Sequence, residues 1–190
     1  MRLWLIAALA LSGTLAAAPA GSAQTIEEKA KLCASCHGEA GVPVDPKIPV
    51  IWGQQTGYLY IDLRDFKLGT RKNELMSPIA AGLSREDMLA LAEYFAKKPW
   101  PHLGQQRAPD ESIHRAEVAA SSGQCTQCHL GGYAGAGTTP RLANQSRPYL
   151  LKTMQDFRSG ARANNPWMTD LLRTYNDADI QALADYLAGL

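Results

Sequence analysis

The pentapeptide Cys33-Ala34-Ser35-Cys36-His37 recurs 92 residues later as Cys125-Thr126-Gln127-Cys128-His129. Much else recurs with it. Pro49, Gln54, Tyr58, Phe66, Gly69 and Arg71 return 91 residues on as Pro140, Gln145, Tyr149, Phe157, Gly160 and Arg162, while Met76, Asp87 and Tyr94 return 92 residues on as Met168, Asp179 and Tyr186. One residue is lost and one regained within the second copy. Register held this long makes the chain a tandem of two homologous halves, expected over 24–98 and 112–190. Between them, residues 99–111 hold Pro99, Pro101 and Pro109, which read as a connector rather than a helix. A half of about 75 to 80 residues has a marginal core and needs a staple, a metal or a partner surface.

Each half shows the same helical skeleton. Leu59, Leu63 and Phe66 fall at i, i+4 and i+7, as do Leu150, Met154 and Phe157, which is the stripe of an amphipathic helix. Ser84 precedes Asp87 by three residues and Asn176 precedes Asp179 likewise, an acidic variant of the capping box. Met88, Leu91 and Phe95, then Ile180, Leu183 and Leu187, supply the buried faces of the helices so opened. No sustained alternation points to a sheet, so the fold class is all-α.

Residues 1–23 read as a secretory signal: Met1-Arg2, an apolar run from Leu3 to Leu11, then small residues before Gln24. The apolar run stops at Ser12-Gly13-Thr14, short of the about 20 residues that span a bilayer. An exported, periplasmic chain is expected. Lys and Arg number 19 against 18 Asp and Glu, a balance that gives no reason to propose nucleic acid or an anionic surface as partner.

Cys-x-x-Cys-His is the attachment signature of c-type haem. The cysteines lie about one helical turn apart, so both thiols reach the vinyl groups on one porphyrin edge, and the next residue offers its imidazole to iron. Cys33, Cys36, Cys125 and Cys128 are the expected attachment points of two covalent haem c groups, and His37 and His129 the proximal iron ligands. Two alternatives use the same residues: a zinc site shared by both Cys pairs, and a disulfide within each pair. For the other axial position the internal alignment chooses among the methionines. Met88 matches Ile180 and Met154 matches Leu63, positions that accept an ordinary aliphatic and read as core. Met76 matches Met168, and both fall in polar, proline-flanked stretches expected to be loops, so these two are the expected sixth ligands. His102 and His114 have no counterpart in the other half and read as surface residues.

On these residues the chain after the signal resembles the cytochrome c4 family, dihaem proteins built of two tandem class I cytochrome c domains. Both halves run Cys-x-x-Cys-His, Pro, Gln-x-x-x-Tyr, Phe-x-x-Gly-x-Arg, Met and a final Leu-Ala-x-Tyr helix. The resemblance implies that Pro49 and Pro140 orient His37 and His129 through their carbonyls, and that the halves pack across a pseudo-twofold axis. One departure is visible: Gly38 follows His37, but a longer Gly- and Ala-rich stretch follows His129 and suggests a more flexible, differently used loop.

With His and Met both bound, neither iron keeps an open position, which points to electron transfer rather than to oxygen or peroxide chemistry. The implied partners are redox proteins: a quinol-oxidising complex, a terminal oxidase or reductase, or a dehydrogenase that keeps the chain as its electron-transfer subunit. At most a loose membrane association is expected. A dihaem peroxidase would need one of the two methionines to be labile. Trp52, Phe66, Tyr94, Phe157 and Tyr186 are candidates for the haem wall or for plain helix packing.

Overall fold

The computed structural model describes residues 24–190; the expected signal lies outside them. Among the described residues the chain is helical, with a single isolated β-bridge between Ala136 and Thr139. The first half contains α1 (Ile26–His37), α2 (Thr56–Leu68), α3 (Met76–Ala81) and α4 (Arg85–Ala96). The second contains α5 (Asp110–Ser122), α6 (Cys125–His129), a 3₁₀ turn (Gly131–Tyr133), α7 (Arg147–Ser159), α8 (Pro166–Leu172) and α9 (Asp177–Ala188). The connector is free of helix until Asp110, where α5 opens just after Pro109.

Local sequence explains the helix ends. Both expected capping boxes form: Ser84 with Asp87 opens α4, and Asn176 with Asp179 opens α9, each side chain taking the other residue's backbone N–H. Thr25 and Glu28 make a third at α1. Gly69 and Gly160 end α2 and α7 in the left-handed region, at φ 74° and 82°, where a Cβ would be strained.

Packing repeats with the sequence. Helix α4 lies against α1 and α2, with α3 on α2; α9 lies against α5 and α7, with α8 on α7. Ala30, Leu59, Leu91, Ala92 and Phe95 form the first core. Ala116, Leu150, Met154, Phe157, Ile180, Leu183 and Leu187 belong to the second. Each of the larger side chains contributes about 1.5–3 kcal/mol by leaving water. The capping acids also tie the first helix of each half to its last, through Lys29 to Asp87 and Arg115 to Asp179.

Three local features differ from the sequence expectation. Met76 and Met168 do not sit in loops: Met76 opens α3 and Met168 lies in the first turn of α8. Prolines there begin helices rather than break them, because first-turn N–H groups lack intrahelical partners and Pro166 at the first position costs nothing. The stretch after His129 is held rather than loose. It carries Leu130, Gly132, Tyr133, Gly135 and Gly137 at positive φ and docks on the first half. Its Gly137 carbonyl accepts from Tyr58 N–H near the start of α2 at 3.2 Å, and Gln55 donates to Ala134 and Gly135 carbonyls. Finally, α1 runs through its cysteine motif, whereas the matching helix of the second half breaks between α5 and α6, with Gln124 at φ 52°. Tyr175 donates to the Ala119 carbonyl at 2.8 Å at this break, and a Cβ at Gly123 would lie 2.2 Å from its hydroxyl.

Candidate functional site

His37 is the last residue of α1 and His129 the last of α6, and both are buried. Nδ1 of His37 stands 2.8 Å from the Pro49 carbonyl, and Nδ1 of His129 stands 3.0 Å from the Pro140 carbonyl. A carbonyl only accepts, so Nδ1 carries the proton in both rings and Nε2 keeps its lone pair. Burial lowers both pKa values, against the opposing pull of the carbonyl bond, which favours the neutral imidazole that a metal needs. The repeat thus delivers two ready nitrogen ligands.

Each cysteine pair lies on the helical turn just before its histidine. All four are free thiols, with Cys33 and Cys125 partly buried and Cys36 and Cys128 exposed. Burial pushes the Cys33 thiol up to about 11 and raises that of Cys125. Cys33 packs against the first core and Cys125 against the second. No three His, Cys, Asp or Glu residues converge into an ion site among the described residues, so the thiols of the two halves do not form one shared centre.

The methionines are placed by a device that is itself repeated. The Asn73 side chain accepts from the Met76 N–H at 2.9 Å, and the Asn165 side chain from the Met168 N–H at 3.3 Å. Both sulfur-bearing side chains are half-buried, and Met168 rests on the same core as Cys125. Met88 and Met154 are buried in the helix packing, as the alignment of the halves indicated. His102 and His114 are exposed.

The halves meet through reciprocal bonds. Gln54 accepts from Arg141 N–H at 2.8 Å and donates to its carbonyl at 3.0 Å. Gln145 does the same to Val50, at 2.8 and 2.9 Å. Val50 and Arg141 are repeat-related and follow the prolines that hold the histidines. Beyond them, Arg71 donates to the Tyr149 hydroxyl at 3.1 Å and Arg162 to the Tyr58 hydroxyl at 3.4 Å. Each guanidinium also covers a phenylalanine of its own half, Phe66 at 4.5 Å and Phe157 at 4.4 Å from the ring centroid. That covers two of the aromatic residues proposed for the haem wall. Despite burial, the Arg71 and Arg162 pKa values are raised, chiefly by Tyr149 and Tyr58 respectively, with Asp62 adding to both, so both stay charged. The glutamines, tyrosines and arginines were visible as polar positions shared by the two copies, but their pairing across the axis was not; Asn73, Asn165 and Asp62 went unread.

The family model for cytochrome c matches residues 115–190. The chain is 36% identical to cytochrome c4 of Thiocapsa roseopersicina, over 94% of this chain and 98% of that one. The chain belongs to the cytochrome c4 family. It is 33% identical to the thiosulfate dehydrogenase electron acceptor of Stutzerimonas stutzeri, over 85% of this chain and 80% of that one. The solved structure of reduced recombinant cytochrome c4 from Pseudomonas stutzeri superposes with a TM-score of 0.77 at 29% identity, covering 90% of this chain and all of that one. As a cytochrome c4 the chain is an electron-transfer protein, not an enzyme, with two covalently bound haem c groups. Its own residues suit that cofactor. The neutral histidines and paired thiols occur once per half, and two buried guanidiniums face one carboxylate, leaving positive charge over for anionic propionates. The buried indole N–H groups of Trp52 and Trp100 are likewise without an acceptor among the described residues.

Proposed function

We propose that this cytochrome c4 carries electrons in the periplasm between a quinol-oxidising complex and a terminal oxidase or reductase. Residues 24–98 and 112–190, joined by 99–111, each hold one haem. Cys33 and Cys36, then Cys125 and Cys128, are its attachment points; His37 with Met76, and His129 with Met168, are its axial ligands. The observation that carries this reading is the repetition of both positioning devices, a proline carbonyl behind each histidine and an asparagine side chain that accepts from each methionine's N–H. Bound haem supplies a one-electron change at iron, at a potential raised by Met/His ligation. The chain's part is to fix the histidine tautomer, to hold each methionine in a short helix and to limit rearrangement when charge moves. No helix among the described residues is long and apolar enough to cross a membrane.

The test is an optical spectrum of the purified protein, oxidised and reduced, followed by carbon monoxide on the reduced form. Two low-spin c-type haems that ignore the gas are expected. A haem that binds it removes the methionine on that half from the ligand set and favours ligand chemistry at iron. A second reading, in which the chain accepts electrons from a dehydrogenase, is supported by its similarity to the Stutzerimonas stutzeri electron acceptor. Co-purification with a dehydrogenase and reduction by it would favour that partner.

A further inference from the structure

At the centre of the interface one carboxylate is shared by an arginine from each half. Asp62, on α2, accepts from Arg71 of its own half at 2.5 Å and from Arg162 of the other half at 3.1 Å. The repeat-related residue on α7 is Thr153, which takes no part in these bonds. The arginines, the tyrosines and the phenylalanines under the guanidiniums are doubled, while Asp65, three residues on, accepts from Asn164 of the other half at 2.7 Å and pairs with Arg64 rather than with either of these arginines. The carboxylate that pairs with both guanidiniums is single. It is also secluded, with 13% of its side chain exposed beside guanidiniums at 12% and 8%, so solvent screens it weakly.

We infer that Asp62 is the residue that makes the two haem sites electrostatically unequal and so sets the gap between their potentials. The inference rests on the two-haem reading above. A fixed negative charge stabilises the oxidised, more positive form of a nearby redox centre and lowers its potential. Asp62 stands on the helix against which α3, the helix of Met76, packs, and it makes its shorter bond to Arg71, five residues before Met76. Its effect therefore falls more heavily on the first site. It acts through the charge it adds and through the arginines it holds, without touching iron, and is a positioning residue in that sense.

The pseudo-twofold axis supplies the test, because the acid can be moved to the other side without changing the net charge. The two midpoint potentials of the full-length dihaem protein are measured by optical redox titration and assigned to halves with Met76→Ala and Met168→Ala. In Asp62→Asn, which keeps the shape and one hydrogen-bond acceptor, the first site rises more than the second. Thr153→Asp alone lowers the second site more than the first. In Asp62→Thr with Thr153→Asp the two shifts add, and the gap moves further than in either single variant toward the second half as the lower site. An unchanged gap in Asp62→Asn and in the double variant, both with low-spin spectra intact, overturns the role of Asp62. Absence of two low-spin haems in the unaltered protein strikes instead at the ligand assignment. The isosteric variant and the single Thr153→Asp keep the test open if the double variant does not fold.

Discussion

Gln145 clamps Val50 through both its backbone groups, at 2.8 and 2.9 Å, and Val50 is next in the chain to the carbonyl that orients His37. Gln54 returns the grip on Arg141, next to the carbonyl that orients His129. The loop that orients the motif histidine of one half is thus held by a side chain of the other. Stability and ligand geometry share the same bonds.

Gln145→Ala leaves the N–H and C=O of buried Val50 without partners. Each orphaned group costs about 1–3 kcal/mol, so a loss of about 3 kcal/mol is expected in urea unfolding of the holoprotein. Gln145→Glu keeps the acceptor but not the donor, and its loss should lie between zero and that of the alanine variant.

Met76→Ala and Met168→Ala each open one iron. The expected result is one high-spin haem that binds carbon monoxide when reduced, with a lower potential, and an unaltered partner haem. Unchanged spectra in either variant would take that methionine off the ligand list.

Asn73→Ala removes the side chain that receives the Met76 N–H, and Asn165→Ala does the same for Met168. Asn165 is the N-cap of α8, and losing such a cap costs about 0.5–2 kcal/mol; Asn73 makes the same bond from ahead of α3, two residues before its N-cap Leu75. Because each asparagine seats a methionine through its N–H, slow carbon monoxide binding should appear at the affected haem while overall unfolding shifts only modestly.

Asp87 is held below the usual carboxylate range by the Lys29 side chain and then by the Ser84 N–H. A depressed folded-state pKa gives stability that is present above about pH 4, the unfolded value, and is lost as pH falls through the folded one. Asp87→Asn should therefore be less stable than the unaltered protein at pH 7, and the two should converge as the pH falls below the folded value. Urea midpoints at neutral and acid pH check this. A constant difference would show that the carboxylate's charge is not what counts.

The repeat and the helix faces were legible, and the candidate haem-binding residues could be named, because each depends on residues close in sequence or on comparison of two copies. Ser84 with Asp87 is a local signal, and His37 beside Cys36 needs no tertiary contact to be read. Met76 and Met168 were found by alignment but placed in loops, since Pro78 and Pro166 look like breakers unless one knows that they fall in the first turn of a helix. The stretch from Leu130 to Gly137 suggested flexibility by its glycines, yet those glycines serve positive φ angles in a loop that supplies acceptors to Gln55 and Tyr58. Nothing local marks such a use. Gln54 and Gln145 show the general limit: repetition said that they matter, but only the packing of one half on the other says what they hold.

The carboxylate at position 62, shared by an arginine from each half, bears on why the two halves are joined in one chain. Paired with itself about the same axis, the first half would set two acids against two arginines, and the second half two arginines against none. Only the mixed pair keeps one acid between two cations. Fusion makes that unequal pairing unavoidable, fixing a direction along a molecule whose fold has nearly none.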